Sequence, residues 1–282
     1  MTVRAPRAKA LPLTNSGALS LYPIGCGSAF SRNLSQNNYL IVKGDDHCVI
    51  DCGTRTPETL SRLGVPVTRI DNWIITHSHA DHIGGLEEVM LMNRYVERRK
   101  PSMIITSEYE HVLWNFSLKG GCEANESRNG VGLQFGDFWA VLRPTWLPGY
   151  PRETYHVRVG SIDIKAVRTL HYPEQASDWS QGAISFGLII DDRILFTGDT
   201  QFDPQLLTGY DDRFHFECIF HDVQFYTGGI HASLDELASL PESLKNRILL
   251  MHYPDAWEEH RKQVRRAGFH GFVRQGVFYT FD

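Results

Sequence analysis

The densest chemistry in this 282-residue chain lies in Thr76-His77-Ser78-His79-Ala80-Asp81-His82, where four side chains able to ligate a metal follow one another within a single loop. His77 and His79 are two apart, and residues two apart in an extended segment share a face, so both imidazoles can converge on one ion. Asp81 and His82 follow the turn and can serve a second. Gly84-Gly85 removes side-chain bulk where the next segment turns helical, which lets that segment approach the ligand loop closely. A solvated surface cluster of histidines is the ordinary alternative; the apolar run before the loop and the helical pattern after it argue against that.

Ligands of this kind need elements to hold them. The run at 72–76 reads as a strand, and Ile83, Leu86, Val89 and Met90 recur at helical spacing, so a helix is expected over 83–98 and a strand at 103–106. Upstream, 19–24, 38–42 and 47–50 read as the strands of a meander, and Thr56-Pro57-Glu58 opens a short helix that Gly64 stops. Downstream, strands are expected at 157–159, 162–167, 184–190, 194–196, 216–220, 247–251 and 277–281, with helices at 203–207, 233–240 and 256–267. Residues 1–17 are polar and aperiodic and read as a flexible N-terminal arm, leaving 18–282 as one domain. Inside it, 107–155 is irregular, aromatic and rich in turn residues, a long insertion of the kind that serves as a lid.

Composition narrows the classes. Apolar residues make up 42% and charged residues 22%, enough for a sizeable core and against wholesale disorder. The formal charge of −5 gives no general footprint for a polyanion, so a long nucleic acid is not the expected partner. Arg261, Lys262, Arg265 and Arg266 form a basic stripe that reads as a solvated helix face. The five cysteines are odd in number and scattered, which disfavours a disulfide framework and a thiolate zinc site and fits a reducing cytoplasm. No stretch approaches the ~20 apolar residues of a membrane span, so no membrane partner is expected.

The His77–His82 loop resembles that of the metallo-β-lactamase superfamily, whose HxHxDH segment sits between two mixed β-sheets flanked by helices. The resemblance covers nearly the whole chain and implies an α/β fold of the αββα sandwich type. It calls for a later His, a bridging Asp and a last His, each at a strand end. His171 follows 162–168, Asp199 follows Ile194-Leu195-Phe196-Thr197-Gly198, and His252 follows Ile248-Leu249-Leu250-Met251. The resemblance then implies that His77, His79 and His171 hold one metal, that Asp81, His82 and His252 hold the other, and that Asp199 bridges them. A nitrogen and oxygen donor set without cysteine favours two Zn²⁺ per chain, with Mn²⁺ or iron left open. Two such ions activate water and offset charge on attacking and leaving oxygens, so hydrolysis is the expected reaction class.

A second pattern narrows the substrate. Phe220-His221-Asp222-Val223-Gln224 follows a strand, and Gly229-Ile230-His231-Ala232-Ser233 precedes a helix. This resembles the phosphodiesterase branch, including tRNase Z, in which an acid orients a histidine that protonates the leaving oxygen. The resemblance implies Asp222 and His231 in those roles, with Asp81 beside them among the residues that carry the reaction. Asp222 stands where that branch has Glu, so its contact with His231 depends on distance. His221 has no role in this reading. The tRNA-gripping arm that tRNase Z inserts before the bridging Asp has no room between His171 and Asp199.

A fuller resemblance is to the anti-Pycsar proteins, small phosphodiesterases by which phages remove cyclic mononucleotide signals, and to their bacterial relatives. It rests on Leu113-Trp114-Asn115-Phe116-Ser117-Leu118-Lys119-Gly120-Gly121, Phe202-Asp203-Pro204-Gln205-Leu206-Leu207, His221-Asp222-Val223-Gln224, His231-Ala232-Ser233-Leu234-Asp235-Glu236-Leu237 and Leu250-Met251-His252-Tyr253. It implies a homodimeric, cytoplasmic hydrolase of 3′,5′-cyclic mononucleotides, with the 107–155 insertion covering the pocket. Trp114, Lys119 and Ser233 are the expected substrate contacts. A tRNase Z-like ribonuclease and a thioesterase or lactonase remain the alternatives, because the fold alone does not exclude them. A domain that merely binds a cyclic nucleotide has no need of a full ligand set.

Overall fold

Strand patterning at Ile162-Asp163-Ile164-Lys165 is borne out by a strand at Ile162–Arg168, and equivalent runs build two eight-stranded sheets in the computed structural model, which describes residues 1–282. The chain divides into two units, each centred on one of these sheets: Met1–Gly25, Asn38–Pro144 and Gly276–Asp282 in the first, Cys26–Asn37 and Thr145–Gln275 in the second.

In the first unit the sheet order is Thr2–Arg4, Phe278–Phe281, Leu19–Pro23, Tyr39–Lys43, Asp46–Ile50, Asn72–Ile74, Ser102–Ile104 and Ala140–Leu142. Pairing is antiparallel as far as Asp46–Ile50 and parallel beyond it. The second unit runs Thr145–Trp146, Thr154–Val159, Ile162–Arg168, Phe186–Ile190, Ile194–Phe196, Cys218–Asp222, Ile248–Met251 and Gly271–Phe272, and again turns from antiparallel to parallel, here at Ile194–Phe196. Its central parallel strands are wholly buried and carry unbroken apolar runs such as Ile248-Leu249-Leu250-Met251, as parallel strands covered on both faces must. In each unit the parallel strands end along one sheet edge, and chemistry-bearing residues in open α/β sheets collect at carboxyl ends of this kind.

Two elements differ from the expectation. The arm 1–17 is not loose: Thr2–Arg4 pairs antiparallel with Phe278–Phe281, Leu11 is buried, and the Asn15 amide donates to the Ala18 carbonyl at 2.7 Å. Its partner strand lies at the far end of the chain, where local pattern gives no hint of it. The continuous helix over 83–98 is instead a turn at Ala80–Ile83, a helix at Leu86–Leu91 and a wider π-helix at Met92–Glu97. The break falls where the Gly85 amide donates to the Cys52 carbonyl at 2.8 Å instead of continuing the helix, an approach so close that a Cβ on Gly85 would lie 2.6 Å from the Gly53 carbonyl oxygen. Within the expected insertion 107–155, the irregular sequence carries short held elements. Ser107–Leu113 starts with the Thr106 hydroxyl accepting from the Tyr109 amide at 3.2 Å, Phe135–Phe138 carries a capping box, and Arg94 binds Glu126 through two hydrogen bonds of 2.6 and 3.0 Å. No helix is long and apolar enough to cross a membrane.

Candidate functional site

Asp51 organises the ligand loop of the first unit. It follows Asp46–Ile50 in a left-handed conformation (φ 65°) and is fully buried. Its carboxylate accepts from the Thr76 amide at 2.7 Å, the Thr76 hydroxyl at 2.8 Å and His82 Nδ1 at 2.7 Å. Because the Thr76 hydroxyl gives its proton to Asp51, it can only accept from His77 Nδ1, 3.1 Å away. These bonds make Nδ1 the proton-bearing nitrogen of His77 and His82 and leave Nε2 as the lone-pair nitrogen, the tautomer a metal ligand needs. His77 Nε2 and His79 Nδ1 lie 2.9 Å apart, near the separation of two ligand atoms around one ion. His82 Nε2 lies 3.2 Å from an Asp81 carboxylate oxygen. The loop is tied down by Asn38, whose amide donates to the Asp81 carbonyl at 3.1 Å and whose amide oxygen accepts from the Gly53 N–H at 2.7 Å.

The second unit brings its own donors to the ends of its strands. Asp199 follows Ile194–Phe196, and one of its oxygens lies 3.2 Å from His252 Nε2 and 4.0 Å from His171 Nε2. His171 donates from Nδ1 to the Ile230 carbonyl at 2.8 Å, which again makes Nε2 the lone-pair nitrogen. His252 follows Ile248–Met251 with φ 56°, a left-handed conformation that costs about 1–3 kcal/mol in a non-glycine residue and that gathers at functional sites. Asp222 ends Cys218–Asp222, buried, and accepts from His231 Nδ1 at 2.9 Å and from the Thr200 amide at 3.2 Å. Burial on its own would push the Asp222 carboxyl up, but hydrogen bonds from His221 and His231 outweigh it and hold the group below its ordinary value. His231 stands 4.0 Å from Asp199 through Nδ1 and stacks on His252 with ring centroids 4.7 Å apart.

Donor chemistry and ring orientation in both units thus suit a divalent metal. Imidazoles are fixed by an outer carboxylate, hydroxyl or carbonyl, and carboxylates are set beside them, as in established metal sites. The five cysteines are all buried and unpaired in disulfides; Cys52, Cys48 and Cys218 have thiols pushed up by burial, which keeps them inert.

Of the expected substrate contacts, Trp114 and Ser233 are buried, while Lys119 keeps a partly exposed side chain. Trp114 is buried, with Phe135 and Phe138 at 6.2 and 6.1 Å between ring centroids. Ser233 is buried and caps Leu234–Ala238, its hydroxyl accepting from the Glu236 amide at 3.2 Å. Lys119 faces Glu123 one helical turn on, at 3.3 Å. Sequence reasoning missed Asp51 and Asn38. The signal for Asp51 was a carboxylate placed directly after Val49-Ile50 and just before Gly53.

Two sheets that change from antiparallel to parallel, with His and Asp donors at strand ends, define the metallo-β-lactamase fold. The metallo-β-lactamase fold protein YhfI from Bacillus subtilis superposes with a TM-score of 0.67 over 94% of this chain and all of its own, at 17% identity. Sequence narrows this to one family. The profile of "Anti-Pycsar protein Apyc1" matches residues 19–279, and the chain belongs to that family. The Anti-Pycsar protein Apyc1 of Bacillus phage BSP38 is 36% identical over 250 residues, 87% of this chain and 93% of the phage protein. That of Paenibacillus sp. (strain J14) is 34% identical over 265 residues, 93% of this chain and 99% of its own.

Proposed function

We propose that the protein is a metal-dependent phosphodiesterase that opens 3′,5′-cyclic mononucleotides at a two-ion centre, in the manner its family name implies. The observation that carries this reading is the pairing of His231 with buried Asp222 at 2.9 Å, beside the donors Asp199 and His252. A hydrolase with a good leaving group has no use for such a pair, whereas a ribose oxygen leaves only when protonated.

In this reading His77, His79 and His171 hold one divalent ion, Asp81, His82 and His252 the other, and Asp199 serves both. Zinc suits the imidazole-rich donors, with manganese as the other choice. When bound, the ions supply Lewis acidity and offset charge on the oxygens of the phosphodiester. The protein's own residues do the rest. His231 spends its Nδ1 proton on Asp222, so Nε2 is the atom that delivers a proton to the departing ribose oxygen as a P–O bond of the ring breaks. The Thr200 amide holds Asp222 in place, and the buried carboxylate balances the charge on a protonated His231.

A phage or bacterial cytoplasm is the setting that fits, with removal of a cyclic nucleotide alarm signal as the role. A homodimer is part of the same reading, supported by exposed apolar side chains on the first unit, Phe116, Val96 and Val131 among them. A monomeric mass in solution would remove it.

The test of the activity is a panel. Metal-loaded protein is incubated with cyclic mononucleotides, cyclic dinucleotides, pre-tRNA and thioesters, and the products are separated by chromatography. Linear nucleoside monophosphates from the cyclic mononucleotides are expected. Cleavage of pre-tRNA or thioesters, with the cyclic mononucleotides untouched, overturns the reading.

A further inference from the structure

A cleft of about 390 Å³ opens in the second unit beside the histidines just described, with His231 and His252 in its wall. That volume falls within the ~300–1,000 Å³ typical of small-molecule sites. Its rim carries two aromatic rings that the fold leaves in solvent: Phe30 is 88% exposed and Tyr226 is 68% exposed. Scattered apolar side chains on a surface need no explanation, but two rings on one cleft that also contains a proton donor are not scattered.

Both rings ride on loops that are irregular yet held. Around Phe30, the Ser28 amide donates to the Tyr253 carbonyl at 3.0 Å and the Ser31 hydroxyl to the same carbonyl at 3.2 Å. Asp255 then takes the Arg32 amide at 2.7 Å and the Asn33 amide at 3.2 Å, one on each carboxylate oxygen, while the Ser35 amide reaches Gln275 at 2.9 Å. Gly27 is required at the root of this loop, because a Cβ there would lie 2.8 Å from the Ser31 Cβ. Around Tyr226, the Gln224 side-chain amide donates to the carbonyls of Tyr226, at 2.9 Å, and Gly228, and the Gly229 amide donates to Glu174 at 2.8 Å. Fixing a loop before binding removes the ordering cost that otherwise weakens association.

We infer that Phe30 and Tyr226 form a stacking clamp for the nucleobase, with Asp255 and Gln224 as the residues that position it. This inference rests on the proposed cyclic-nucleotide activity and adds where the base goes and how it is read. Every base has a π-face, so two aromatic rings accept purines and pyrimidines alike, with purines held more firmly for their larger face. Asp255 spends both carboxylate oxygens on backbone amides and is therefore a loop anchor, not a reader of base edges.

The test compares a 3′,5′-cyclic mononucleotide with ribose 3′,5′-cyclic phosphate, which keeps the reacting ring and lacks the base. Stacking is worth about 1–3 kcal/mol per base, so Phe30→Ala and Tyr226→Ala should each lower the ratio of kcat/KM for the two substrates by about 5- to 150-fold, through KM. Tyr226→Phe and Phe30→Tyr should restore the ratio, since the ring and not the hydroxyl acts. Asp255→Ala should shift the ratio the same way, by loosening the loop. An unchanged ratio in Phe30→Ala and Tyr226→Ala overturns the clamp while the proposed activity stands. So does an equal fall on both substrates, with or without a change of mass in solution, because the rings would then act on the sugar-phosphate or between copies. Wild-type protein that turns over neither substrate refutes the activity itself.

Discussion

Replacing His231 by Ala separates proton delivery from everything else the site does. The side chain is only 18% exposed and its ring stacks on His252, so its removal leaves a gap beside the site but takes away no apolar core residue. Asp222 keeps the Thr200 amide at 3.2 Å on the oxygen that His231 leaves, while His221, 3.2 Å from the other oxygen, gives its Nδ1 hydrogen bond to the Asp222 backbone carbonyl. The stability loss should be about 1–3 kcal/mol, the cost of taking one partner from a buried carboxylate, and a thermal melt checks that the variant folds. Turnover is another matter. Losing a positioned proton donor slows reactions by ~10²–10⁴-fold, about 2.7–5.4 kcal/mol in the barrier. The assay is kcat for a cyclic mononucleotide beside kcat for bis(4-nitrophenyl) phosphate, whose phenolate departs without a proton. The first should fall by the full factor and the second by less than about tenfold. Equal losses on the two substrates would refute the proton-donor role and leave His231 as a structural or metal-facing residue.

Asp51→Ala should weaken metal affinity by about 10- to 100-fold, because two imidazoles lose the groups that fix their tautomers; chelator competition reads this, and an unchanged curve contradicts it. Trp114→Ala should cost about 3–5 kcal/mol of stability in a denaturant titration, as a buried indole packed on Phe135 and Phe138 requires, whereas a substrate contact would raise KM at constant stability. Asp163 sits on the second sheet with Lys165 Nζ at 2.9 Å and His156 Nε2 at 2.8 Å. Burial alone would raise its carboxyl, but these hydrogen bonds hold it down at about 2. A depressed carboxyl stabilises the fold above the ordinary carboxylate range and loses that contribution as pH falls toward about 2. Asp163→Asn should therefore cost about 1 kcal/mol near neutrality, discounted for solvent screening, and the gap from wild type should close between about pH 4 and 2. A gap that persists at the acid end contradicts the assignment.

How much of this could be read from the residues depends on sequence distance. His77, His79, Asp81 and His82 were legible because they are neighbours after an apolar run, and His171, Asp199 and His252 because each ends a strand whose pattern is strong. The pair Asp222 and His231 was legible as chemistry, and the 2.9 Å contact lets Asp reach His231 where the tRNase Z type has Glu. Asp51 and Asn38 were not legible, since they act through hydrogen bonds to residues 15 to 43 positions away. Aromatic residues in an irregular segment look available for stacking, yet Trp114, Phe135, Phe138 and Trp139 prove to be core. The rings that do face solvent, Phe30 and Tyr226, lie in segments whose order comes from side-chain and backbone hydrogen bonds, which carry no periodic signature.

Metal analysis of the purified, zinc-supplemented protein tests the proposed two-ion centre. Wild-type protein should hold about two equivalents per chain, and Asp199→Ala about one or fewer, because one Asp199 oxygen lies within 3.2 Å of His252 and 4.0 Å of His171. Near-zero metal in wild-type protein that still hydrolyses cyclic nucleotides, or two full equivalents retained by Asp199→Ala, would contradict it.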